Sequence, residues 1–239
     1  MTKGVRNAWN VFGKVSSSVD NDGVCQFHRI LLYGKPGTGK TTTAIKTANG
    51  NEGFYSVTLN EDSTVAELYG MWMPKGIGEF AFVPGVGIRA WLEGTLLVIN
   101  EIDHAAGSVM TILHALLDDK EIASLTIPIG HGEFTTVRPH KMFRAIATMN
   151  GKPEDLDEAL ADRFDIKLEI LEPHPDAIAK LPEDLRRLAK NAYASHNRNI
   201  TYREIVTYSK LREVIGHDEA LFVFGELRND VKSTLAIST

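Results

Sequence analysis

A short glycine-rich segment carries the residue types that bind phosphate. Residues 34–41 read Gly-Lys-Pro-Gly-Thr-Gly-Lys-Thr and fit the pattern G-x-x-x-x-G-K-[ST]. In this pattern the glycines let backbone N–H groups curve around an anion, the lysine reaches the β- and γ-phosphates, and the hydroxyl binds Mg²⁺. The segment lies between an apolar run and a helical stretch, which is the context that the pattern requires. We therefore expect the following residues to bind a nucleotide: Gly34, Lys35, Pro36, Gly37, Thr38, Gly39, Lys40, Thr41 and Thr42.

A second apolar run ends in acidic and amide groups. Residues 96–99 are Leu-Leu-Val-Ile, and Asn100, Glu101, Ile102 and Asp103 follow them. In an open parallel sheet, chemistry gathers at the carboxyl ends of the strands, so this end is expected beside the glycine-rich loop. Glu101 is then placed to orient, or take a proton from, the water that attacks the γ-phosphate. The alternative is a solvated loop carboxylate, and for Asp103 a structural helix cap is favoured over catalysis.

Two further polar residues, Asn150 and Arg163, follow predicted elements at positions where they could contact the nucleotide. Asn150 ends the apolar run 143–149 and could hold the attacking water or the γ-phosphate without adding charge, although a lone asparagine after a strand is commonly a turn residue. Arg163 ends a predicted helix just before the last apolar run. Its simpler interpretation is a cation that interacts with the helix dipole.

The elements that must position these groups follow from the pattern of short apolar runs that alternate with helical stretches, which is typical of a parallel α/β sheet. Strands are expected at 30–33, 54–59, 96–99, 143–149 and 166–170. Helices are expected near 40–47, 88–93, 109–117 and 156–162. Residues 70–80 predict an exposed loop or small hairpin, and residues 125–137 predict a hairpin. Beyond Pro173, apolar spacing with a period of 3.6 predicts helices over 181–194, 202–214 and 217–227.

The composition excludes several classes of protein. The 239 residues are 43% hydrophobic and 24% charged, which excludes a disordered chain. A single cysteine, Cys25, excludes an internal disulfide and a structural zinc site. No apolar run approaches the roughly 18 residues of a membrane span, and the start predicts no secretory signal, so a cytoplasmic protein without membrane contact is expected. The 26 Lys and Arg against 31 Asp and Glu give a net charge of −5, which makes nucleic acid an improbable partner.

In their order along the chain, these motifs resemble those of AAA+ ATPases. The match includes the P-loop, Leu97 to Glu101, Ile146 to Asn150 and Asp162 to Phe164, and it covers about residues 25–215. Within that superfamily the chain is similar to the MoxR and dynein-related branch, which includes the CbbQ- and NorQ-type activases. The resemblance implies a P-loop NTPase fold, with a parallel five-stranded sheet flanked by helices over residues 1–172 and a small helical lid over residues 173–239.

The resemblance also implies roles for individual residues. Asn150 matches sensor 1, and Arg163 matches the arginine finger that reaches the nucleotide of a neighbouring subunit. Arg203 matches sensor 2, which touches the γ-phosphate within its own subunit. Thr41 and Asn100 match the positions that hold Mg²⁺, with ATP as the nucleotide. The 70–80 and 125–137 segments match insertions that approach the central pore or the substrate in related proteins.

One position departs from the family pattern. Asn100 stands where the family usually has an aspartate that holds waters of the Mg²⁺ shell. An amide keeps a hydrogen bond but loses a charge that is worth several kcal/mol beside a divalent ion, at an effective dielectric constant of about 20 and before desolvation is subtracted. Because Glu101 is present, hydrolysis is still expected, with reduced metal affinity or turnover.

The expected function is ATP hydrolysis by an oligomer, by resemblance a hexamer, that remodels or activates a partner protein. The resemblance offers a partner with a von Willebrand factor A-type domain, or a metalloenzyme that needs maturation. One alternative is an ATP-dependent assembly module with weak hydrolysis because of Asn100. The other is a nucleic-acid motor or loader, which the net charge of −5 disfavours.

Overall fold

The computed structural model of the chain describes residues 8–48, 53–105, 107–130, 132–194 and 200–236. Its strands are β1 (Arg29–Tyr33), β2 (Phe54–Thr58), β3 (Gly70–Gly76), β4 (Glu79–Pro84), β5 (Leu96–Asn100), β6 (Leu125–Gly130), β7 (Glu133–Val137), β8 (Arg144–Thr148) and β9 (Ile166–Glu169). Its helices are α1 (Ala8–Ser16), α2 (Lys40–Lys46), α3 (Val65–Leu68), α4 (Val86–Glu93), α5 (Gly107–Leu116), α6 (Glu158–Asp162), α7 (Pro175–Ala179), α8 (Glu183–Ala194), α9 (Tyr202–Ile215), α10 (His217–Ala220) and α11 (Arg228–Ala236).

Five parallel strands form the central sheet in the order β2-β5-β8-β1-β9. Strands β5 and β8 are buried along their whole length, as expected for apolar runs whose two faces are both covered by other elements. The five strands predicted from the sequence are these five, and the predicted α/β class with flanking helices and C-terminal helices is confirmed.

The register of the sheet aligns the carboxyl ends of three strands. Asn100 at the end of β5 pairs with Thr148 at the end of β8, and Thr148 also pairs with Leu32 near the end of β1. Because successive parallel strands end at one edge, the segments that follow β1, β5 and β8 leave the sheet side by side. At this edge Gly34 follows β1, and Lys40 at the start of α2 donates to its backbone oxygen.

The main apolar core packs the helices against the sheet. Trp91 of α4 is fully buried, its indole N–H donates to the backbone oxygen of Leu116 at 3.1 Å, and its ring meets Phe143 edge-on. Satisfying the indole N–H is what makes so large a buried aromatic favourable, because an unpaired donor in the core is costly.

A buried arginine ties two helix ends to β8. The side chain of Arg144 is buried, and its guanidinium donates to the backbone oxygen of Ser16, at the end of α1, at 3.2 Å. It also donates to the backbone oxygen of Thr47, just beyond α2. These carbonyl groups lack partners within their helices, so the arginine satisfies them and fixes the far end of the helix that follows the glycine-rich loop.

Two antiparallel hairpins leave the main body of the sheet. Strands β3 and β4 form the first and β6 and β7 the second, which confirms the hairpin predicted at 125–137 and the hairpin alternative at 70–80. Gly70 begins the first hairpin with φ of 123°, and a β-carbon there would lie 2.4 Å from the backbone oxygen of Val83. Only glycine fits this close approach of the two chains.

The chain divides into two units, which include residues 8–34 with 40–169 and residues 35–39 with 170–236 of the described chain. The second unit has a core of its own, in which Tyr208 is fully buried and its hydroxyl lies 2.7 Å from Nδ1 of His217. The helix predicted over 217–227 is wrong in part. Its second half, Leu221–Leu227, is a 3₁₀ segment in which Gly225 has φ of 54° and ψ of −124°, so the continuous α-helical pattern breaks there.

Within the described parts of the chain, each helix is too short or too polar to cross a lipid bilayer.

Candidate active site

The glycine-rich loop has the backbone conformation that its sequence predicts. Gly34, Gly37 and Gly39 have φ values of 116°, 74° and 90°, a region that residues with a side chain rarely adopt. Thr38 is buried, and its hydroxyl donates to the backbone oxygen of Lys35 at 3.1 Å. Helix α2 begins directly after the loop at Lys40. The loop is thereby shaped as a turn with its glycines where the backbone must bend most.

Lys40 is a buried cation at the end of the sheet. Its side chain is 6% exposed, and Nζ donates to the backbone oxygen of Gly34 at 2.7 Å and to Oδ1 of Asn150 at 3.3 Å. Burial lowers the pKa of Lys40 to about 8, and the negative charge of Asp103 acts in the opposite direction. A phosphate group beside this amine would restore the charged form, because an anion stabilises the ammonium ion.

Asn100 connects three elements through its side-chain amide. Oδ1 accepts from the hydroxyl of Thr41 at 2.8 Å and from that of Thr148 at 3.2 Å. Nδ2 donates to the hydroxyls of Ser56 at 3.3 Å and Thr58 at 3.4 Å, both on β2. The proton of Thr41 is thus directed at Asn100, which leaves its oxygen lone pairs available to a cation.

Glu101 has an unusual backbone conformation. It is exposed, and among the described residues it is the only one other than glycine with a positive φ, at 55° with ψ of 47°. This left-handed conformation costs a residue with a side chain on the order of 1 kcal/mol or more. It turns the chain sharply at the end of β5, directly after Asn100.

Asp103 lies in the 3₁₀ turn Ile102–His104 and is half-buried. Its Oδ1 is buried, and in the described part of the chain nothing donates a hydrogen bond to it. The helix cap expected for Asp103 stays a prediction, because residue 106, directly before α5, lies outside the described residues. No pattern of residues predicts a buried carboxylate oxygen at this place, since burial within a turn depends on the fold of the neighbouring segments.

The remaining predicted site residues differ in their surroundings. Asn150 is exposed, with its Oδ1 directed at Lys40. Arg163 donates from Nε to the backbone oxygen of His114 at 3.0 Å and from a terminal nitrogen to that of Ala159 at 2.6 Å. These are carbonyl groups of α5 and α6, so within one subunit Arg163 has the contacts of a cation at helix ends.

Arg203 lies in the first turn of α9 and is exposed. A β-carbon on Gly37 would lie 3.9 Å from its backbone nitrogen, and 3.5 Å from Cβ of Thr201. Thr201 and Glu204 form a capping box that fixes the start of this helix. Gly37 and the first turn of α9 are therefore close neighbours within the unit that contains both.

The donor set suits Mg²⁺ better than a transition metal. The available oxygens are the hydroxyl of Thr41 and the buried Oδ1 of Asp103, which is without a partner in the described chain. Oxygen donors of this kind are those that Mg²⁺ prefers, and it keeps most of its waters. Among the described residues, no group of three or more His, Cys, Asp or Glu side chains could hold a metal ion by itself. The site therefore fits a cation that arrives with a phosphate ligand.

Comparison with known proteins places the chain among ATPases. The family model for the AAA domain of the dynein-related subfamily matches residues 29–164. Midasin from Dictyostelium discoideum is 32% identical over 170 residues, which are 67% of this chain and 3% of that protein. NorQ from Paracoccus denitrificans is 35% identical over 94 residues, which are 39% of this chain and 34% of NorQ.

A third relative matches along most of both chains. It is an uncharacterized protein from Staphylococcus haemolyticus, 29% identical over 241 residues, with 89% of each chain covered. The matched region is only a small part of midasin and about a third of NorQ, so their similarity concerns the domain rather than the whole proteins.

Proposed function

Because this chain belongs to the dynein-related subfamily of AAA domains and is an ATPase, we propose that it hydrolyses Mg²⁺-bound ATP as an oligomer and remodels a partner protein. The observation that carries the proposal is the group of side chains at the carboxyl ends of β1, β5 and β8. There Lys40 contacts Asn150, and Thr41 contacts Asn100, with Glu101 next in the chain.

Each residue has a task in this proposal. The loop from Gly34 to Thr42 surrounds the phosphates, and Lys40 compensates the charge of the β- and γ-phosphates. Thr41 holds Mg²⁺ while Asn100 orients its hydroxyl, and the ion when bound would neutralise charge on the phosphate oxygens. Glu101 orients the attacking water and receives its proton.

The side-chain amide of Asn150 links the phosphate-binding lysine to the end of β8. The side chain of Asn150 accepts a hydrogen bond from Lys40, whose amine also donates to Gly34. A γ-phosphate that binds this amine would therefore change the contact between Lys40 and Asn150. This exchange gives Asn150 a way to respond to the γ-phosphate, as a sensor must. Arg203 at the start of α9 would complete the site within the subunit, and Arg163 would complete that of a neighbour.

The two hairpins support the proposal of a protein partner. They expose large apolar side chains, which a protein normally buries against something else. The exposed apolar residues are Met71, Trp72, Met73, Ile77, Phe80, Val83, Ile129 and Phe134. The partner that we propose is a protein with a von Willebrand factor A-type domain or a metalloenzyme that requires activation. A ring of about six copies of this chain would act on it.

A second candidate function is supported by Asn100. Since an amide replaces a carboxylate at this position, ATP could control assembly while hydrolysis stays slow. The rate of ATP hydrolysis separates the two candidate functions, because an assembly module needs to bind ATP but not to hydrolyse it.

The test compares phosphate release from Mg²⁺-ATP by the unaltered chain and by Glu101→Gln. We expect the variant to lose at least about a hundredfold in turnover, as removal of a general base does, while its affinity for a fluorescent ATP analogue stays within twofold. Glu121→Gln is the control, because it changes an exposed glutamate next to Lys120, whose amine contacts the segments that precede β1 and β8. Equal turnover of Glu101→Gln and the unaltered chain would show that Glu101 is not the base.

A further inference from the structure

The side chain of Asn100 is fully occupied within the protein. Its Oδ1 accepts two hydrogen bonds, from Thr41 and Thr148, and its Nδ2 donates to two hydroxyls on β2. An amide oxygen has two lone pairs, and an amide nitrogen can only donate. Asn100 therefore has no acceptor left for another group.

This occupancy matters for a hydrated magnesium ion. Water bound to Mg²⁺ has its lone pair directed at the metal, so it interacts with the protein by donating hydrogen bonds. The group that receives these bonds must offer a free lone pair, and a carboxylate does so most strongly because the bond is charge-assisted. Asn100 orients Thr41, but it cannot also receive the water.

Asp103 has the free acceptor that Asn100 lacks. Its Oδ1 is buried, and no described residue donates to it. A buried carboxylate oxygen without a donor is costly, and such groups normally have a ligand or a function. Asp103 follows Asn100 by three residues in the turn at the end of β5, and its charge acts on Lys40. The free oxygen is thus near the cation of the phosphate-binding loop.

We propose that Asp103 is the carboxylate that receives the water shell of the magnesium ion in this protein, in the place that Asn100 has left. The inference rests on the proposed binding of Mg²⁺-ATP. In the usual arrangement one aspartate would perform both tasks. Here they are divided between two residues: Asn100 positions the hydroxyl of Thr41, and Asp103 supplies the negative charge.

The test measures binding of Mn²⁺, used in place of Mg²⁺, to the full chain with a non-hydrolysable ATP analogue. Free Mn²⁺ is followed by electron paramagnetic resonance, so the readout does not depend on turnover. We expect Asp103→Asn to weaken Mn²⁺ binding by about tenfold, as loss of an outer-shell partner does. Binding of the analogue in EDTA should change less than twofold. Asp22→Asn, at an exposed position in the turn that precedes β1, should change neither value.

Adding Asn100→Asp to Asp103→Asn should restore most of the lost Mn²⁺ affinity, because it returns a carboxylate to the neighbouring position. If the double variant stays weak, or if Asp103→Asn binds Mn²⁺ as the unaltered chain does, Asp103 does not serve the metal. If the unaltered chain binds no analogue in EDTA or with Mn²⁺, the proposed function fails as well, so the two failures can be told apart.

Thermal unfolding shows whether Asp103→Asn is folded. If Asp103→Asn does not fold, the single variant Asn100→Asp tests the role of Asp103 instead. With Asp103 already serving the metal, this change should raise Mn²⁺ affinity less than about threefold, whereas a gain of tenfold or more would mean that the carboxylate position was unfilled and would overturn the inference.

Discussion

Glu101 shows how a single residue can combine a chemical task with a conformational cost. Its left-handed backbone, with φ of 55°, turns the chain at the end of β5 and gives an exposed carboxylate next to Asn100. Strain of this kind persists where the surrounding structure fixes it, and it is frequent at functional sites. The buried strand before Glu101 and the buried Ile102 after it supply that constraint here.

We predict that Glu101→Gly raises the free energy of unfolding by about 1 kcal/mol while abolishing turnover, because glycine adopts a positive φ without steric cost. Glu101→Ala also removes the carboxylate but keeps a β-carbon, so it should not gain this stability. Denaturant unfolding of the three proteins without nucleotide measures the difference. Equal stabilities of the glycine and alanine variants would mean that the backbone at this position is not strained.

For single residues, the sequence predicts which side chains belong to the site better than it predicts their conformation and hydrogen bonds. The spacing from Gly34 to Thr41 and the acidic end of β5 were sufficient to find the loop and its neighbours. The left-handed turn at Glu101 and the unpaired oxygen of Asp103 could not be found in this way, because both depend on how buried segments on either side are held. A carboxylate two residues after the base looks in sequence like any loop residue.

Among the elements, the strands were predictable because each is a short apolar run between turn residues. The strand predicted over 96–99, for example, is Leu96–Asn100 in the structure. The helix predicted over 217–227 was not, since its apolar spacing continues through Gly225 although the backbone there leaves the helical region. Periodicity reports which side chains face a core, and a 3₁₀ segment can satisfy the same requirement over one or two turns.

At the opposite end of the sheet from the phosphate-binding loop, Lys120 links three segments of chain. Its Nζ lies 2.8 Å from Nδ1 of His28, just before β1, and donates to the backbone oxygen of Lys141, before β8, at 2.8 Å. Burial lowers the pKa of Lys120 to about 8, while the negative charge of Asp165 acts in the opposite direction. The lysine thus loses part of its hydration in order to connect these elements.

The lowered pKa predicts how stability depends on pH. Folding favours the neutral amine, so the free energy of unfolding should rise as pH increases from about 8 towards the ordinary value of 10.5. Solvent screening of a partly exposed amine reduces the effect to about 1 kcal/mol. The useful range ends near pH 10, because burial raises the pKa of tyrosines such as Tyr69, whose ionisation then favours the unfolded chain.

Lys120→Met should remove this contribution, so that its stability rises less between pH 8 and 10 than that of the unaltered chain. Lys40, with a pKa also lowered to about 8, contributes a similar rise that remains in the variant. Lys141→Met is the matched control, since that side chain is exposed and only its backbone contacts Lys120. Parallel stability curves for all three proteins would contradict the assignment.

For the whole molecule, the central question is whether the site is complete within one chain. Within one subunit Arg163 is held by two backbone carbonyl groups, of His114 and Ala159, and not by a phosphate. A role at a neighbour's nucleotide would require Arg163 to exchange these neutral acceptors for a charged one. Phosphate attracts the guanidinium more strongly than a carbonyl group does, because it carries a full negative charge and can accept two parallel hydrogen bonds.

Mixing two inactive variants tests this role directly. Arg163→Ala keeps Glu101, and Glu101→Gln keeps Arg163, so a mixed ring contains sites in which an intact Glu101 faces an intact Arg163 from the next subunit. In a random equal mixture this happens at about one site in four, so we predict recovery of up to about a quarter of the unaltered turnover. If Arg163 acts within its own subunit, every site lacks one group and mixing restores nothing. Arg163→Lys is the control for folding, because it keeps a cation at the ends of α5 and α6 while losing the fork that a phosphate requires.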